Sequence, residues 1–103
     1  LGLAYKANVD DYRESPSFQL MEKLEAKGAL VEFNDPFVPV IQKTREHAHY
    51  AGKRSVPVSG DFDLLLISTD HAAYSEIDFS QFSIPIVDTR NVVKRTIPNL
   101  FKA

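Results

Sequence analysis

The richest concentration of chemically capable side chains in this sequence is the polar segment 5–13, which follows an apolar run. It carries Lys6, Arg13 and the pair Asp10-Asp11, and a serine–proline pair typical of a helix start comes directly after it. A loop that supplies cations and ends at a helix N-terminus favours binding of a phosphate group. The alternative is a solvated loop whose carboxylates pair with Lys6 and Arg13, and the residue types alone leave both interpretations open.

A second candidate is the segment Asp88-Thr89-Arg90-Asn91, which also follows an apolar run. An arginine at the carboxyl end of a strand can form a forked pair of hydrogen bonds with a phosphate, or with a ribose or base edge. Pairing of Arg90 with Asp88 or with a loop carboxylate is the alternative interpretation.

Two histidine-containing motifs are weaker candidates. His71 lies beside Asp70, which suggests acid–base chemistry, but no serine or cysteine nucleophile is evident as its partner. We therefore expect Thr69 or Asp70 to cap the next short helix. His47 and His49 are two residues apart and would project to different sides of a helix, so no metal site is expected in this chain.

The apolar runs around these clusters alternate with helical patterns, which predicts an α/β fold. We expect a three-layer, Rossmann-like parallel sheet with helices on both faces and right-handed crossovers. Ligands of such sheets bind beyond the carboxyl ends of the strands, where the candidate clusters lie. The predicted elements are strands at 1–5, 30–33, 64–67 and 84–88, a helix from Ser15-Pro16 to Lys27-Gly28, a helix within 38–54, a short helix or turn at 70–77, and a tail at 89–103.

The composition limits the function classes. The 103 residues suffice for one domain spanning 1–103, and 44% hydrophobic with 25% charged residues is typical of a globular chain. The net charge of −2 gives no basic face for nucleic acid, and no apolar run approaches the roughly 20 residues that span a bilayer. The absence of cysteine excludes disulfides, thiolate zinc sites and a cysteine nucleophile within this chain, and it is compatible with the cytoplasm.

The opening of the chain carries two further indications. The sequence starts without methionine on an apolar run, so we expect it to be a fragment of a longer polypeptide. Gly2 stands alone rather than in a G-x-G-x-x-G motif, and no Walker loop is present. The sequence therefore shows neither a dinucleotide fingerprint nor a P-loop.

Taken together, these motifs resemble the C-terminal domain of the UDP-glucose/GDP-mannose dehydrogenase family. The resemblance covers nearly the whole chain, is strongest over residues 1–16 and is loose over 38–58. It rests on the segments Leu1–Lys6, Asn8–Asp11, Arg13–Pro16, Lys27–Ala29, Asn34–Pro36, Asp63–His71 and Ile86–Asn91.

Members of this family oxidise the C6 alcohol of a nucleotide sugar to a carboxylate with two NAD+ per sugar. They combine an N-terminal NAD-binding domain, a central dimerisation region and a C-terminal nucleotide-sugar-binding domain, and this chain resembles only the last. The resemblance implies that NAD is bound mainly by the N-terminal domain and that the catalytic cysteine lies upstream, so no catalytic residue is expected here. It also implies a cytoplasmic, homo-oligomeric full-length enzyme whose partners are a UDP-sugar and its own other domains, without nucleic acid or membrane.

The family's motif positions carry its substrate contacts onto this sequence. The resemblance implies that Arg13 reaches toward NAD held by the N-terminal domain. Many members have phenylalanine at the position of Tyr5 and threonine at that of Val9, so the contacts of these two side chains are expected to differ. The residues implied to contact the UDP-sugar are Tyr5, Lys6, Ala7, Asn8, Val9, Asp10, Asp11, Tyr12 and Arg90.

The same motifs most resemble members that oxidise UDP-N-acetylglucosamine or its mannosamine epimer, because glucose-oxidising members tend to have glycine at the position of Thr89. UDP-glucose is the alternative sugar. A non-catalytic, flavodoxin-like interaction or regulatory module such as a receiver domain is an alternative of a different class. Receivers need an acceptor aspartate at the end of a central strand, whereas the run 64–67 is followed by Ser68-Thr69-Asp70.

Overall fold

The computed structural model describes all 103 residues, and a small parallel sheet lies at its centre. Strands β1 (Leu65–Ile67), β2 (Ile86–Asp88) and β3 (Leu100–Lys102) lie side by side in chain order. Both strand pairings are parallel. The α/β architecture predicted from the alternation of apolar runs is confirmed.

The apolar start of the chain runs beside β1 without forming a full strand. The N of Leu1 donates to β1 (2.6 Å), and its carbonyl accepts the N–H of Ser68 (2.8 Å), which is the parallel pattern. The pairing then stops because Asp35 Oδ2 accepts the N–H groups of Leu3 and Ala4. The strand predicted here is thus reduced to a single residue pair.

The run 30–33 lies on the other side of this first segment and is also not a regular strand. The Asn34 carbonyl accepts the N–H of Gly2 (2.8 Å). Gly2 has a φ of +95°, and a Cβ there would lie 2.4 Å from Thr69 Cβ. Only glycine fits this left-handed, closely approached position, and the turn of the backbone at Gly2 prevents a longer ladder on either side.

Helix α1 (Ser17–Ala26) begins and ends close to the predicted residues. The Ser15 Oγ accepts the N–H of Ser17 (3.1 Å), and Gly28 follows the last turn with a φ of +95°. Phe18 on the inner face of α1 is completely buried. The apolar cluster beneath α1 consists of Leu3, Phe18, Met21, Phe33, Val38, Ile41 and Tyr50.

The helix predicted within 38–54 is absent, so this prediction was wrong. The segment forms an irregular hairpin in which an antiparallel bridge joins Val40 to Arg54 and one 3₁₀ turn spans Ala48–Tyr50. Pro39 and its β-branched neighbours disfavour a helix at the start of the segment. The segment instead adopts the conformation that buries Val38, Ile41 and Tyr50 beneath α1.

The residues after β2 wind back to the sheet and add β3, which the sequence did not predict. Before β2, 3₁₀ helices span Ala72–Glu76 and Phe79–Gln81, and the first confirms the short helix or turn predicted at 70–77. No helix has the length and apolar character needed to cross a bilayer. The second apolar cluster, below these short helices, consists of Leu65, Ile67, Phe79, Ile86 and Val93.

Candidate functional site

The polar segments that follow the first apolar run, β1 and β2 meet at the carboxyl ends of the parallel strands. Ile67 of β1 pairs with Asp88 of β2, so segments 68–71 and 89–91 leave the sheet side by side. Loop 5–12 reaches the same place because the segment before it runs parallel to β1. We call this region, composed of residues 5–12, 68–71 and 89–91, the polar edge.

Asn8 ties loop 5–12 to the residues after β1 through both its backbone and its side chain. Its N–H donates to His71 Nδ1 (2.9 Å), and its Oδ1 accepts the N–H of Ala72 (2.8 Å). Asn8 has a φ of 62°, a left-handed conformation that asparagine adopts more readily than most residues. The middle of the loop is therefore fixed to the sheet.

The buried carboxylate of Asp35 holds the start of the same loop. Its Oδ2 accepts the N–H groups of Leu3 (2.8 Å) and Ala4 (2.9 Å) and lies 2.8 Å from His71 Nε2. The side chains of Asp35 and His71 are both 0% exposed. Because the N–H of Asn8 points at Nδ1, that nitrogen is the acceptor, and the imidazole proton lies on Nε2 and faces Asp35.

The helix cap predicted for Thr69 or Asp70 was wrong. Neither side chain caps the 3₁₀ helix that follows, and the Asn8 amide accepts the N–H of its first residue instead. The Thr69 hydroxyl donates to a main-chain carbonyl of the first segment (2.6 Å), while Asp70 pairs with Arg90. His71 is enclosed and bonded through both ring nitrogens, so the arrangement gives no support to acid–base chemistry on a substrate.

Tyr5 and Lys6 present an exposed ring and an exposed cation at the start of loop 5–12. The Tyr5 side chain is 45% exposed, and Lys6 Nζ lies 5.4 Å from the centroid of its ring. The Lys6 ammonium forms no ion pair, although Asp10 and Asp11 lie in the same loop. Its charge is therefore available to an anion.

Asp11 pairs instead with Arg13 in a forked geometry. The two bonds are Arg13 Nε to Asp11 Oδ1 (3.1 Å) and Nη2 to Oδ2 (3.0 Å), and hydrogen bonding to the guanidinium lowers the pKa of Asp11 below its ordinary value. The Arg13 side chain is 79% exposed. Tyr12 by contrast joins the core cluster, and its hydroxyl accepts the N–H of Gln42 (2.8 Å). The Arg13 guanidinium is thus exposed to solvent while it is paired with loop 5–12.

Arg90 is the second exposed cation of the polar edge. Its Nη2 lies 3.4 Å from Asp70 Oδ1, and the two side chains are 40% and 43% exposed. An exposed pair of this kind is weak, because water competes for both charges. Arg90 thus pairs with a loop carboxylate, which was one of its two alternative partners. Because this pair is weak, a phosphate can displace Asp70 from Arg90.

Asp88 organises the loop that carries Arg90. Its buried carboxylate accepts the N–H groups of Arg90 (3.1 Å), Val92 (3.1 Å) and Val93 (2.8 Å), and Lys102 Nζ donates to it at 2.9 Å. Burial raises the pKa of Asp88, but the N–H of Val93 and the ammonium of Lys102 lower it more, so the pKa lies below its ordinary value.

His47 and His49 lie away from the polar edge, against α1. Glu22 Oε1 lies 3.0 Å from His47 Nδ1 and 3.7 Å from His49 Nε2, and the His47 ring stacks on Phe18 with centroids 4.4 Å apart. No group of three or more acidic, histidine or cysteine side chains is arranged to hold a metal ion. These contacts attach the 38–54 hairpin to α1.

A separate apolar cavity of about 740 Å³ lies between α1 and segments 28–34 and 56–66. It includes none of the residues predicted to bind a ligand. Its charged lining residues are the carboxylates Glu32, Asp61 and Asp63, which repel a phosphate. The polar edge is therefore the better place for an anionic ligand.

The predicted cations lie where the sequence placed them, but the residues that hold their loops were not identified. In the sequence, Asp35 lies within a segment that supports only the family resemblance, and Asp88 is one of two alternative partners for Arg90. The usable signal was a carboxylate directly after a buried run, because parallel strands bring such positions to one edge. His71 gives no such signal, because it is not a carboxylate and lies four residues after the end of β1.

Comparisons with known proteins agree with one another. A model of the UDP binding domain of the UDP-glucose/GDP-mannose dehydrogenase family matches residues 1–95. The UDP-glucose 6-dehydrogenase of Rickettsia bellii is 33% identical over 101 residues, which cover 91% of this chain and 23% of that protein. The UDP-N-acetyl-D-mannosamine dehydrogenase of Pyrococcus horikoshii is 29% identical over 99 residues, which cover 91% of this chain and 21% of that protein.

Solved structures show the same similarity. The UDP-N-acetyl-mannosamine dehydrogenase of Staphylococcus aureus matches 99% of this chain with a TM-score of 0.68 and 32% identity, over 24% of its own chain. The UDP-D-ManNAc dehydrogenase of Pyrococcus horikoshii matches 98% with a TM-score of 0.73 and 25% identity, over 23% of its own chain. The chain thus spans less than a quarter of the length of these proteins.

Proposed function

Since the chain belongs to the UDP-glucose/GDP-mannose dehydrogenase family as its UDP-binding domain, we propose that its polar edge binds the nucleotide part of a UDP-sugar. The observation that carries this proposal is the placing of two exposed cations, Lys6 and Arg90, at the carboxyl ends of the two parallel segments that flank β1. A diphosphate suits this pair, because lysine binds phosphate as a point charge and arginine binds it through a fork.

The rest of loop 5–12 has a supporting role in this proposal. The Tyr5 ring is exposed beside Lys6 and offers a flat surface to a base or sugar. Ala7, Asn8, Val9, Asp10, Asp11 and Tyr12 complete the contact surface that the family resemblance implies.

The sequence carries no G-x-G-x-x-G motif, the fingerprint that cradles the pyrophosphate of NAD in dinucleotide-binding domains. Gly2 has no open space beside it, because a Cβ there would lie 2.4 Å from Thr69 Cβ. Arg13 is 79% exposed, and its only ion pair is the surface contact with Asp11. We propose that its guanidinium contacts NAD held by another part of the longer polypeptide.

We propose further that this longer polypeptide oxidises a UDP-N-acetylhexosamine to the uronate, using two NAD+ per sugar. The similarity to two solved UDP-N-acetylmannosamine dehydrogenases supports this sugar class. UDP-glucose is the second candidate, favoured by the 33% identity to a UDP-glucose 6-dehydrogenase. A homo-oligomeric, cytoplasmic enzyme is expected from the family resemblance alone.

The site assignment is tested in the full-length polypeptide with the variants Lys6→Ala and Arg90→Ala. A charge-assisted hydrogen bond contributes roughly 1.5–3 kcal/mol, so we expect each variant to raise KM for the UDP-sugar about tenfold or more. Lys27→Ala and Arg45→Ala are matched controls, because both residues are exposed cations outside the segments that form the polar edge. An unchanged KM in both test variants would remove the site assignment.

The substrate is tested by measuring NADH formation with UDP-N-acetylglucosamine, UDP-N-acetylmannosamine and UDP-glucose separately. Two NADH per sugar with one of the first two supports the proposal. Turnover of UDP-glucose alone supports the second candidate, and turnover of none of them contradicts both.

A further inference from the structure

We propose that His71 is a positioning residue for UDP-sugar binding: as a neutral imidazole with its proton on Nε2, it holds loop 5–12 in its binding shape by linking Asp35 to Asn8. The inference rests on the proposed function, because loop 5–12 is the proposed site. The family comparisons assign no role to His71, and its side chain is too deeply buried to touch a ligand.

The link is a continuous series of short hydrogen bonds. Asp35 Oδ2 lies 2.8 Å from His71 Nε2, and His71 Nδ1 accepts the Asn8 N–H at 2.9 Å. The Asn8 side chain then accepts the N–H of Ala72, the residue next to His71, at 2.8 Å. Asn8 is thus bonded twice to the segment that carries His71.

The surroundings allow only one arrangement of the imidazole ring. A backbone N–H always donates, so Nδ1 must be unprotonated where it faces Asn8. Asp35 Oδ2 already accepts two backbone N–H groups, so the bond from Nε2 must carry the imidazole proton. The rings of Phe37 (5.0 Å between centroids) and Tyr74 (5.6 Å) lie against His71 and oppose a reorientation.

The consequence for binding follows from the position of Asn8 in the loop. Asn8 lies two residues after Lys6, the proposed phosphate contact, and holds a left-handed backbone conformation with a φ of 62°. Without an acceptor at Nδ1 the loop keeps only the bond from the Ala72 N–H to Asn8 Oδ1 at this point, and it then spends part of its time in other shapes. Binding weakens in proportion to the fraction of molecules that keep the competent shape.

Two substitutions in the full-length polypeptide each remove one of the two hydrogen bonds of the His71 ring. In His71→Gln the terminal amide can still donate to Asp35, but no acceptor remains for the Asn8 N–H. In His71→Asn the shorter amide places an acceptor near the former Nδ1 and loses the bond to Asp35. We expect His71→Gln to raise KM for the UDP-sugar about tenfold, with kcat nearly unchanged, and His71→Asn to restore most of the affinity.

A merely structural role predicts a different result, and Tyr74→Phe reveals it. This variant removes the two part-buried hydrogen bonds from the Tyr74 hydroxyl to the main-chain and side-chain oxygens of Asn34, beside the same ring and without touching Asn8. We expect it to lower the melting temperature while leaving KM unchanged. A rise of KM in Tyr74→Phe equal to that in His71→Gln, or an unchanged KM in His71→Gln, overturns the proposal.

A spectroscopic measurement judges the link independently of turnover. Ring-¹⁵N-labelled histidine, with His71 identified by its loss in His71→Asn, should show an unprotonated Nδ1 and a protonated Nε2 at neutral pH. The Asn8 amide should exchange with solvent faster in His71→Gln and at the wild-type rate in His71→Asn. If no UDP-sugar binds at all, the proposed function fails, while a protonated Nδ1 or unchanged exchange contradicts the link itself.

Discussion

The two loops of the polar edge are each held by a buried aspartate, but the two carboxylates are surrounded by different donors. Asp35 accepts three backbone N–H groups and the neutral imidazole of His71, and no lysine or arginine reaches it. Asp88 accepts three backbone N–H groups and the ammonium of Lys102, whose side chain is 43% exposed. The first loop thus depends on buried dipoles, and the second on an ion pair that meets water.

Because of this difference, we expect the two loops to respond differently when their aspartate is replaced. Buried neutral donors that lose their acceptor cannot find water, so each costs free energy in full. A half-exposed ammonium can turn to solvent when its partner is removed. Loop 5–12 should therefore be the less tolerant of the two, although both loops carry one proposed phosphate contact.

The largest expected effect is that of Asp35→Ala. The change leaves the N–H groups of Leu3, Ala4 and Phe37 and the ring N–H of His71 without an acceptor. At about 1–3 kcal/mol for each, the sum approaches the whole stability of a small domain. We expect little folded protein by circular dichroism, and a loss below about 2 kcal/mol in urea unfolding would contradict the comparison.

Asp88→Ala should cost less, about 2–4 kcal/mol in the free energy of unfolding. It also removes the acceptor of three backbone N–H groups, but only the bond from the Val93 N–H is fully buried, and the Lys102 ammonium gains water in exchange. Asp63→Ala is the matched control, because Asp63 is exposed and its carboxylate forms no hydrogen bond or ion pair. Equal losses for Asp35→Ala and Asp88→Ala would remove the distinction between buried dipoles and an exposed ion.

The lowered pKa of Asp88 predicts a smaller, pH-dependent effect. A carboxylate whose pKa is lower in the folded than in the unfolded state stabilises the fold above the unfolded value of about 3.9, and this contribution is lost as the pH falls further. The stability difference between wild type and Asp88→Asn should therefore shrink below about pH 4. Urea titrations at several pH values measure it, and a difference that stays constant down to pH 2 would speak against an ionised Asp88 in the fold.

The smallest effect on stability is expected for Arg13→Ala. The Arg13–Asp11 fork lies on the surface, where water screens both charges, so the melting temperature should not change measurably. The same variant should raise KM for NAD and leave KM for the UDP-sugar near the wild-type value. A clear loss of stability, or a rise in KM for the UDP-sugar without a rise in KM for NAD, would contradict the proposed contact between Arg13 and NAD.

Local signals in the sequence predicted the elements that depend on local chemistry. Ser15 and Gly28 mark the two ends of α1 because a cap and a positive φ are properties of single residues. The apolar runs at β1 and β2 predicted buried strands for the same reason. β3 was missed because Leu100–Lys102 is short and partly exposed, and its place in the sheet depends on β2.

The candidate site likewise contains residues that local signals predict and residues that only long-range contacts position. Lys6 and Arg90 were predicted because a cation after an apolar run is visible in the sequence. The bonds joining Asp35, His71 and Asn8 connect residues up to 63 positions apart, so no local pattern reveals them. The helix predicted within 38–54 was wrong for a related reason, since the hairpin depends on the long-range packing of Val38, Ile41 and Tyr50 beneath α1.

The most direct test of the account is the structure of the full-length polypeptide crystallised with UDP. We predict the diphosphate at the polar edge, within hydrogen-bonding distance of Lys6 and Arg90, with the Asp70–Arg90 pair opened to admit it. UDP bound in the apolar cavity between α1 and segment 28–34, or at any place that leaves Lys6 and Arg90 without contact, would contradict the central claim.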